Sequence, residues 1–191
     1  MLAPKGQLIS QKTNNNQTVH VALKKAWDFA LPFSFAVIGP NKFLFKFSKQ
    51  EHLDRIHKQT TWNVNGYLLP LQIWSPKAIM GELTYNMTPF WIQIYGFAPA
   101  NLTLKNAAAI GIGLGILMQV EDCSGAQKTL KNFLRILVKI DVFEPLKLGF
   151  YLSHEEGEPL WISIKYERLD IYCSSCGRIG HKNQHCNAPP T

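Results

Sequence analysis

Three cysteines and one histidine near the C-terminus have the types and the spacing of a metal site. They follow the pattern C-x2-C-x4-H-x4-C, and the four positions are Cys173, Cys176, His181 and Cys186. Structural zinc sites use four thiolate or imidazole ligands in a tetrahedron. Gly177 and Gly180 let a short backbone wrap the ion, because glycine adopts positive φ angles that other residues resist. The sequence therefore predicts one zinc ion held in a zinc knuckle.

Two alternatives to this ligand set exist within the same segment. The cysteines could form a disulfide or remain free thiols, but the histidine and both glycines favour zinc. His185 could replace His181, although the four-residue spacing and Gly180 favour His181. Four protein ligands leave no open coordination position, so the predicted zinc is structural and does not activate water. A segment this short buries too little apolar surface to fold without the metal.

The residues around the predicted ligands include candidates for contact with nucleic acid. Zinc knuckles bind unpaired bases through apolar platforms and basic residues. Arg178 and Lys182 can reach phosphates, and Ile179 and Tyr172 can support bases. Ser174 stands where the retroviral type of knuckle often has an aromatic ring, so we expect weak, salt-sensitive and sequence-tolerant binding. In the alternative interpretation the knuckle is a structural clip or a protein-binding surface.

Composition favours a folded body with a polyanionic partner. The chain has 20 Lys and Arg against 13 Asp and Glu, a formal net charge of +7, and 46% hydrophobic residues. A basic balance of this kind favours nucleic acid first and an acidic membrane surface second. Two basic clusters could follow a phosphate backbone: Lys42, Lys46, Lys49, Arg55 and Lys58; and Lys128, Lys131, Arg135 and Lys139.

Cysteine use and hydropathy predict where the protein resides. Three of four cysteines lie in the metal motif, which argues for a reducing compartment rather than a secreted disulfide framework. The N-terminus has no signal-peptide pattern, and no apolar run reaches the roughly 18–20 residues of a membrane span. We therefore expect an intracellular protein of the nucleus or cytoplasm, with no membrane partner.

The elements that must position the knuckle follow from apolar periodicity. Residues 1–18 are predicted to be a polar tail, and a helical pattern runs from Val19 to Phe29. Between Lys42 and Val120 the order strand, helix, strand, strand, helix, strand predicts an RRM-like βαββαβ antiparallel sheet. Strands at 134–142, 146–152 and 160–166 extend this plan. The predicted class is α+β, with a body over 19–168 and a zinc knuckle over 172–187.

Two aromatic strands in this body have two interpretations. Phe43, Phe45 and Phe47 alternate along one strand, and Phe90, Trp91 and Tyr95 lie on another. Burial under helices is the favoured interpretation. Base stacking on exposed rings, as in RNA-recognition sheets, is the alternative.

Several motifs together resemble a known plant family. They are the aromatic strand FLFKF, the helix LDRI, the strand PFWIQIYGF, the dipeptide Glu121-Asp122, and the C-terminal YERL-x-x-YC-x-x-CG-x-x-GH-x4-C. This set is similar to the plant domain of unknown function (DUF4283-like) that accompanies zinc knuckles in retrotransposon-derived proteins. The resemblance covers most of the chain. It implies a nucleic-acid-binding protein related to the first open reading frame of plant LINE-type elements.

The predicted function is non-enzymatic binding of single-stranded RNA or DNA by the basic body and the structural knuckle. The glycine run Gly111–Gly115 lacks the preceding strand and the Lys-Ser/Thr of a phosphate loop, and the sequence has no metalloprotease or nucleophile-elbow motif. The alternative is a self-association module in which the knuckle is only a clip.

Overall fold

The structure is a computed structural model that describes residues 3–27, 33–58, 61–74, 86–122, 132–153 and 158–188. Its helices are α1 (Asn16–Trp27), α2 (Gln50–Lys58) and α3 (Leu104–Leu114). Its first strands are β1 (Ala3–Gln7), β2 (Phe33–Gly39), β3 (Lys42–Phe47), β4 (Trp62–Val64), β5 (Tyr67–Leu69) and β6 (Leu71–Trp74). The later strands are β7 (Met87–Tyr95), β8 (Ile116–Val120), β9 (Phe133–Asp141), β10 (Gly149–Leu152) and β11 (Leu160–Tyr166).

These elements form two compact units. Unit 1 contains the chain up to Thr88 and from Arg168 onward, and unit 2 contains Pro89–Glu167. Unit 1 is therefore built from two separate stretches of sequence, and the C-terminal knuckle segment belongs to it.

Unit 1 has a four-stranded sheet in the order β2-β3-β1-β6 and a β4-β5 hairpin. Phe43, Phe45 and Phe47 of β3 are at most 6% exposed and form a core with residues of α1 and α2. The fully buried Trp27 ring contacts Phe45 at a centroid distance of 4.9 Å. The core interpretation of the first aromatic strand is confirmed.

The prediction of a polar tail over residues 1–18 is wrong for residues 3–9 and for residues 16–18, which begin α1. Strand β1 lies between β3 and β6, and Leu8 and Ile9 after it are buried. The segment APKGQ shows no alternation of apolar and polar residues, so the pattern did not indicate a strand. Gly6 leaves no room for a side chain, because a Cβ at this position would lie 2.9 Å from the Leu71 side chain.

Unit 2 has a five-stranded sheet in the order β10-β11-β7-β9-β8. Helix α3 packs on one face of it, where Gly111 lies close to Leu117 and Ile136. The N-cap of this helix is Thr103, whose side chain accepts a hydrogen bond from the Asn106 N–H.

The predicted α+β class with antiparallel sheets is confirmed. The strands that were predicted to form one βαββαβ sheet belong to separate sheets. Strand β3 pairs with β1 and β2 in unit 1, whereas β7 lies between β9 and β11 in unit 2. Strand pairing is non-local, so the order of elements alone did not reveal this division. Within the described ranges, no helix is long and apolar enough to cross a membrane.

Candidate metal centre

The four predicted ligands converge in unit 1. One ligand atom from each of Cys173, Cys176, His181 and Cys186 lies within 4.8 Å of all the others. The Sγ of Cys176 is 3.4 Å from Nε2 of His181. Three thiols and one imidazole are the donor set that structural zinc prefers. The residues therefore fit one zinc ion, with His181 and not His185 in the cluster.

Two glycines determine the backbone conformation of the knuckle. Gly177 and Gly180 have φ angles of 72° and 97°, which favour glycine. The Gly177 N–H donates to the Cys173 carbonyl at 2.8 Å, and the Cys173 N–H donates to the Arg178 carbonyl at 2.9 Å. The sequence-based role of both glycines is confirmed.

Hydrogen bonds favour the thiolate form of Cys173, the first of the four ligands. Burial alone raises the pKa of the Cys173 thiol. Hydrogen bonds outweigh this effect and lower the pKa to about 7. The donors are the backbone N–H groups of Cys176 and Ser175 and the side chains of Cys186 and Cys176. The thiolate is the form that binds metal.

The knuckle is packed against the N-terminal segment that follows β1. A Cβ on Gly180 would lie 3.1 Å from the Ile9 carbonyl oxygen, so the two backbones are in close contact. The Gln11 N–H also donates to the Gly180 carbonyl at 3.5 Å.

Gln11 additionally contacts the histidine ligand. Its side-chain amide lies 3.2 Å from Nδ1 of His181, on the opposite side of the ring from the nitrogen that faces Cys176. A neutral imidazole that binds zinc through Nε2 has its proton on Nδ1 and donates it. The acceptor for this proton is the Gln11 side-chain oxygen. A rotation of the amide group by 180° exchanges its oxygen and nitrogen, so the oxygen can take the position that faces Nδ1. Gln11 is therefore placed to orient His181, a role that the sequence motif does not indicate.

The lead-in to the knuckle contacts the β4-β5 hairpin. A Cβ on Gly66, in the turn of this hairpin, would lie 2.9 Å from the Ile171 side chain. The Asn63 side-chain amide donates to the Arg168 carbonyl and, at 3.2 Å, to Asp170. The turn of the hairpin has positive φ at both Asn65 and Gly66, as an Asn-Gly dipeptide favours.

The four residues predicted to touch nucleic acid differ in exposure. Arg178 and Lys182 are exposed, and Tyr172 is half-buried. Ile179 is only 7% exposed and forms a bridge with Tyr172, so little of its surface is available to a base. The exposed side of the knuckle is thus basic and polar, and contact with nucleic acid stays a prediction.

The predicted basic clusters are only partly in the described residues. Lys42, Lys46, Lys49, Arg55 and Lys58 are exposed. Lys128 and Lys131 lie outside the described ranges. Arg135 forms two hydrogen bonds with the Glu167 carboxylate, at 2.7 and 2.8 Å, and one with Glu121 at 3.2 Å. Its charge is therefore paired within the protein.

Fold and site together define an α+β protein with a CCHC-type zinc knuckle, and sequence comparisons agree. Residues 6–82 match the family described as a domain of unknown function (DUF4283), and residues 140–188 match a zinc knuckle family.

Two individual proteins are similar to the chain. An uncharacterized protein of Arabidopsis thaliana is 24% identical over 129 residues, and the aligned part is 68% of this chain and 40% of that protein. The crystal structure of the N-terminal three RNA binding domains of the yeast splicing factor Prp24 aligns with 85% of this chain and 64% of that one, at 11% identity and a TM-score of 0.32. The chain thus spans less than two thirds of either relative.

Proposed function

We propose that this chain is a non-enzymatic protein that binds single-stranded RNA or DNA and derives from a plant retrotransposon. The observation that carries the binding proposal is the CCHC cluster with Arg178 and Lys182 exposed beside it. The net charge of +7 supports a polyanionic partner. The family matches over residues 6–82 and 140–188 support the retrotransposon origin through the resemblance described above. The proposal places the protein in the nucleus or cytoplasm, where thiols stay reduced.

In this proposal zinc has a structural role. Four protein ligands occupy all its coordination positions and fix the loop that carries Arg178 and Lys182. Both side chains then extend from this loop to contact phosphates. Their contacts are with the backbone of the nucleic acid, so they confer affinity without sequence preference.

The test is binding of fluorescently labelled oligouridylate and oligothymidylate across a salt titration. Replacing Arg178 and Lys182 together by alanine is expected to weaken binding and to reduce the slope of log affinity against log salt by about 1.4, at about 0.7 per phosphate contact. The matched control replaces Lys24 and Lys25, two exposed lysines of α1, and loses the same charge away from the knuckle. Zinc-loaded protein that retains neither oligonucleotide at low salt would refute the proposal.

Self-association is the second candidate, and in it the knuckle is only a structural clip. The contacts of Gly180 with Ile9, and of Ile171 with Gly66, are those expected of a structural clip. Size-exclusion chromatography with and without oligonucleotide separates the two candidates. A concentration-dependent oligomer that retains no nucleic acid would support self-association.

A further inference from the structure

One face of the unit 2 sheet carries aromatic rings at the surface. On β7, the buried residues Phe90, Ile92 and Ile94 face α3, and Trp91, Gln93 and Tyr95 alternate with them. Successive side chains of a strand point to opposite faces of a sheet. The second group therefore lies on the side away from α3, which we call the outer face.

The strand register extends the outer face across the neighbouring strands. On β11, Ser163 is paired with Tyr95 and Lys165 with Gln93. Trp161, two residues before Ser163, is on the same face and is paired with Tyr151 of β10. Trp161 and Tyr151 are 47% and 69% exposed, which is high for rings of this size.

The rings of the outer face form two clusters and one separate stack. Tyr151 and Trp161 have centroids 4.8 Å apart, and Tyr95 and Phe133 have centroids 5.1 Å apart. The third element is Trp91, with the Arg135 guanidinium 3.8 Å from its ring centre. Glu167 and Glu121 hold that guanidinium in place, so the Trp91 ring is fixed in the sheet.

Polar groups separate these rings. Gln93 donates to Glu167 at 2.7 Å and accepts from the Tyr95 hydroxyl at 2.5 Å. Ser163 stands beside Tyr95, and Lys165 is exposed beside Gln93. A protein interface formed by rings of this kind would have an apolar centre. Rings alternating with hydrogen-bonding groups and cations instead match unpaired bases, which are flat on their faces, polar at their edges and linked by phosphates.

We propose that the outer face of unit 2 is a second binding surface for single-stranded nucleic acid. Bases stack on Trp161 and Tyr151 at one edge and on Tyr95 and Phe133 nearer the centre. Lys165 and Lys139 meet the phosphates. Lys139 is on β9, four residues after Arg135 and on the same face of the sheet. The inference rests on the proposed function and assigns it a surface separate from the knuckle.

The test replaces two exposed rings that are not among the buried core residues. Trp161→Leu and Tyr151→Leu keep apolar volume and remove the aromatic plane. Each is expected to weaken binding of oligouridylate or oligothymidylate by between about fivefold and about a hundredfold, the loss for one stacked base. The amplitude of tryptophan fluorescence quenching by the oligonucleotide should also fall in Trp161→Leu. Ile112→Ala, on α3 and 69% exposed, is the control and should bind as wild type does.

The outcomes separate this inference from the proposed function. If wild type binds and the double Trp161→Leu/Tyr151→Leu variant binds equally tightly, the outer face is not the surface, although the proposed function stands. If the double variant only converts an oligomer into a monomer, the face is a self-association surface and the inference is overturned. If wild type binds neither oligonucleotide, both proposals fail. Unchanged zinc content and unfolding temperature confirm that the variants are folded.

Discussion

At the residue scale, the metal ligands could be predicted from the sequence, whereas Gln11, which orients one of them, could not. Cys173, Cys176 and His181 lie within one short segment, so their spacing is readable from the sequence. Gln11 is 170 residues away from His181, and nothing in its surroundings resembles a motif. A partner supplied by a different part of the chain is visible only once the fold is known.

Gln11 is expected to support zinc binding through His181. Gln11→Ala removes the acceptor for the Nδ1 proton and should lower zinc affinity by about tenfold or more, the usual effect of losing such a partner. Competition with a chelator measures this, and the absorption spectrum of the Co²⁺-substituted protein reports the ligand geometry. Gln11→Glu keeps an acceptor oxygen and should restore affinity. Lys12→Ala changes the exposed neighbour and serves as control; an equal loss there would contradict the role of Gln11.

At the element scale, the helices and the aromatic strands were predictable and β1 was not. The pattern of β3 indicated burial because Phe43, Phe45 and Phe47 recur at alternate positions. Strand β1 has Pro4 and Gly6 within five residues, and both weaken strand propensity. Its place in the sheet comes from pairing with β3 and β6, which lie far along the chain.

The close packing around β1 predicts a cost for any side chain at Gly6. Gly6→Ala places a methyl group within 3.0 Å of Leu71, Leu69 and Phe45 and should destabilise the protein by about 1–3 kcal/mol. Gly113→Ala in α3 is the matched control, since its Cβ would meet nothing within 4 Å. Because alanine is the better helix former, that variant should gain up to about 1 kcal/mol.

Chemical denaturation of both glycine variants measures these differences. A Gly6→Ala variant as stable as wild type would show that β1 is not packed in the sheet as described.

At the whole-molecule scale, zinc is expected to stabilise unit 1 and not unit 2. The knuckle segment contacts Ile9 and Gly66 of the N-terminal part, so its unfolding removes support from unit 1. Binding to the folded state alone stabilises that state by mass action. Adding a chelator should therefore accelerate amide exchange beyond the knuckle, at Ile9 and Gln11, whose N–H groups are hydrogen-bonded in unit 1.

Hydrogen exchange with mass spectrometry tests this expectation, and unit 2 provides the internal control. The amides of Ile164 and Glu167, both hydrogen-bonded within unit 2, should exchange at unchanged rates. Acceleration confined to residues 172–187 would instead show that the knuckle folds independently of unit 1.

The pairing of β7 with β11 has a consequence for how the chain can be re-engineered. The Glu167 N–H donates to the Trp91 carbonyl at 2.8 Å, so unit 2 begins and ends on neighbouring strands. Neighbouring strands are about 5 Å apart, a gap that a short glycine-serine linker can span. Unit 2 can therefore be treated as a removable insert, and a chain that joins Thr88 to Arg168 through such a linker would carry unit 1 and its zinc knuckle alone.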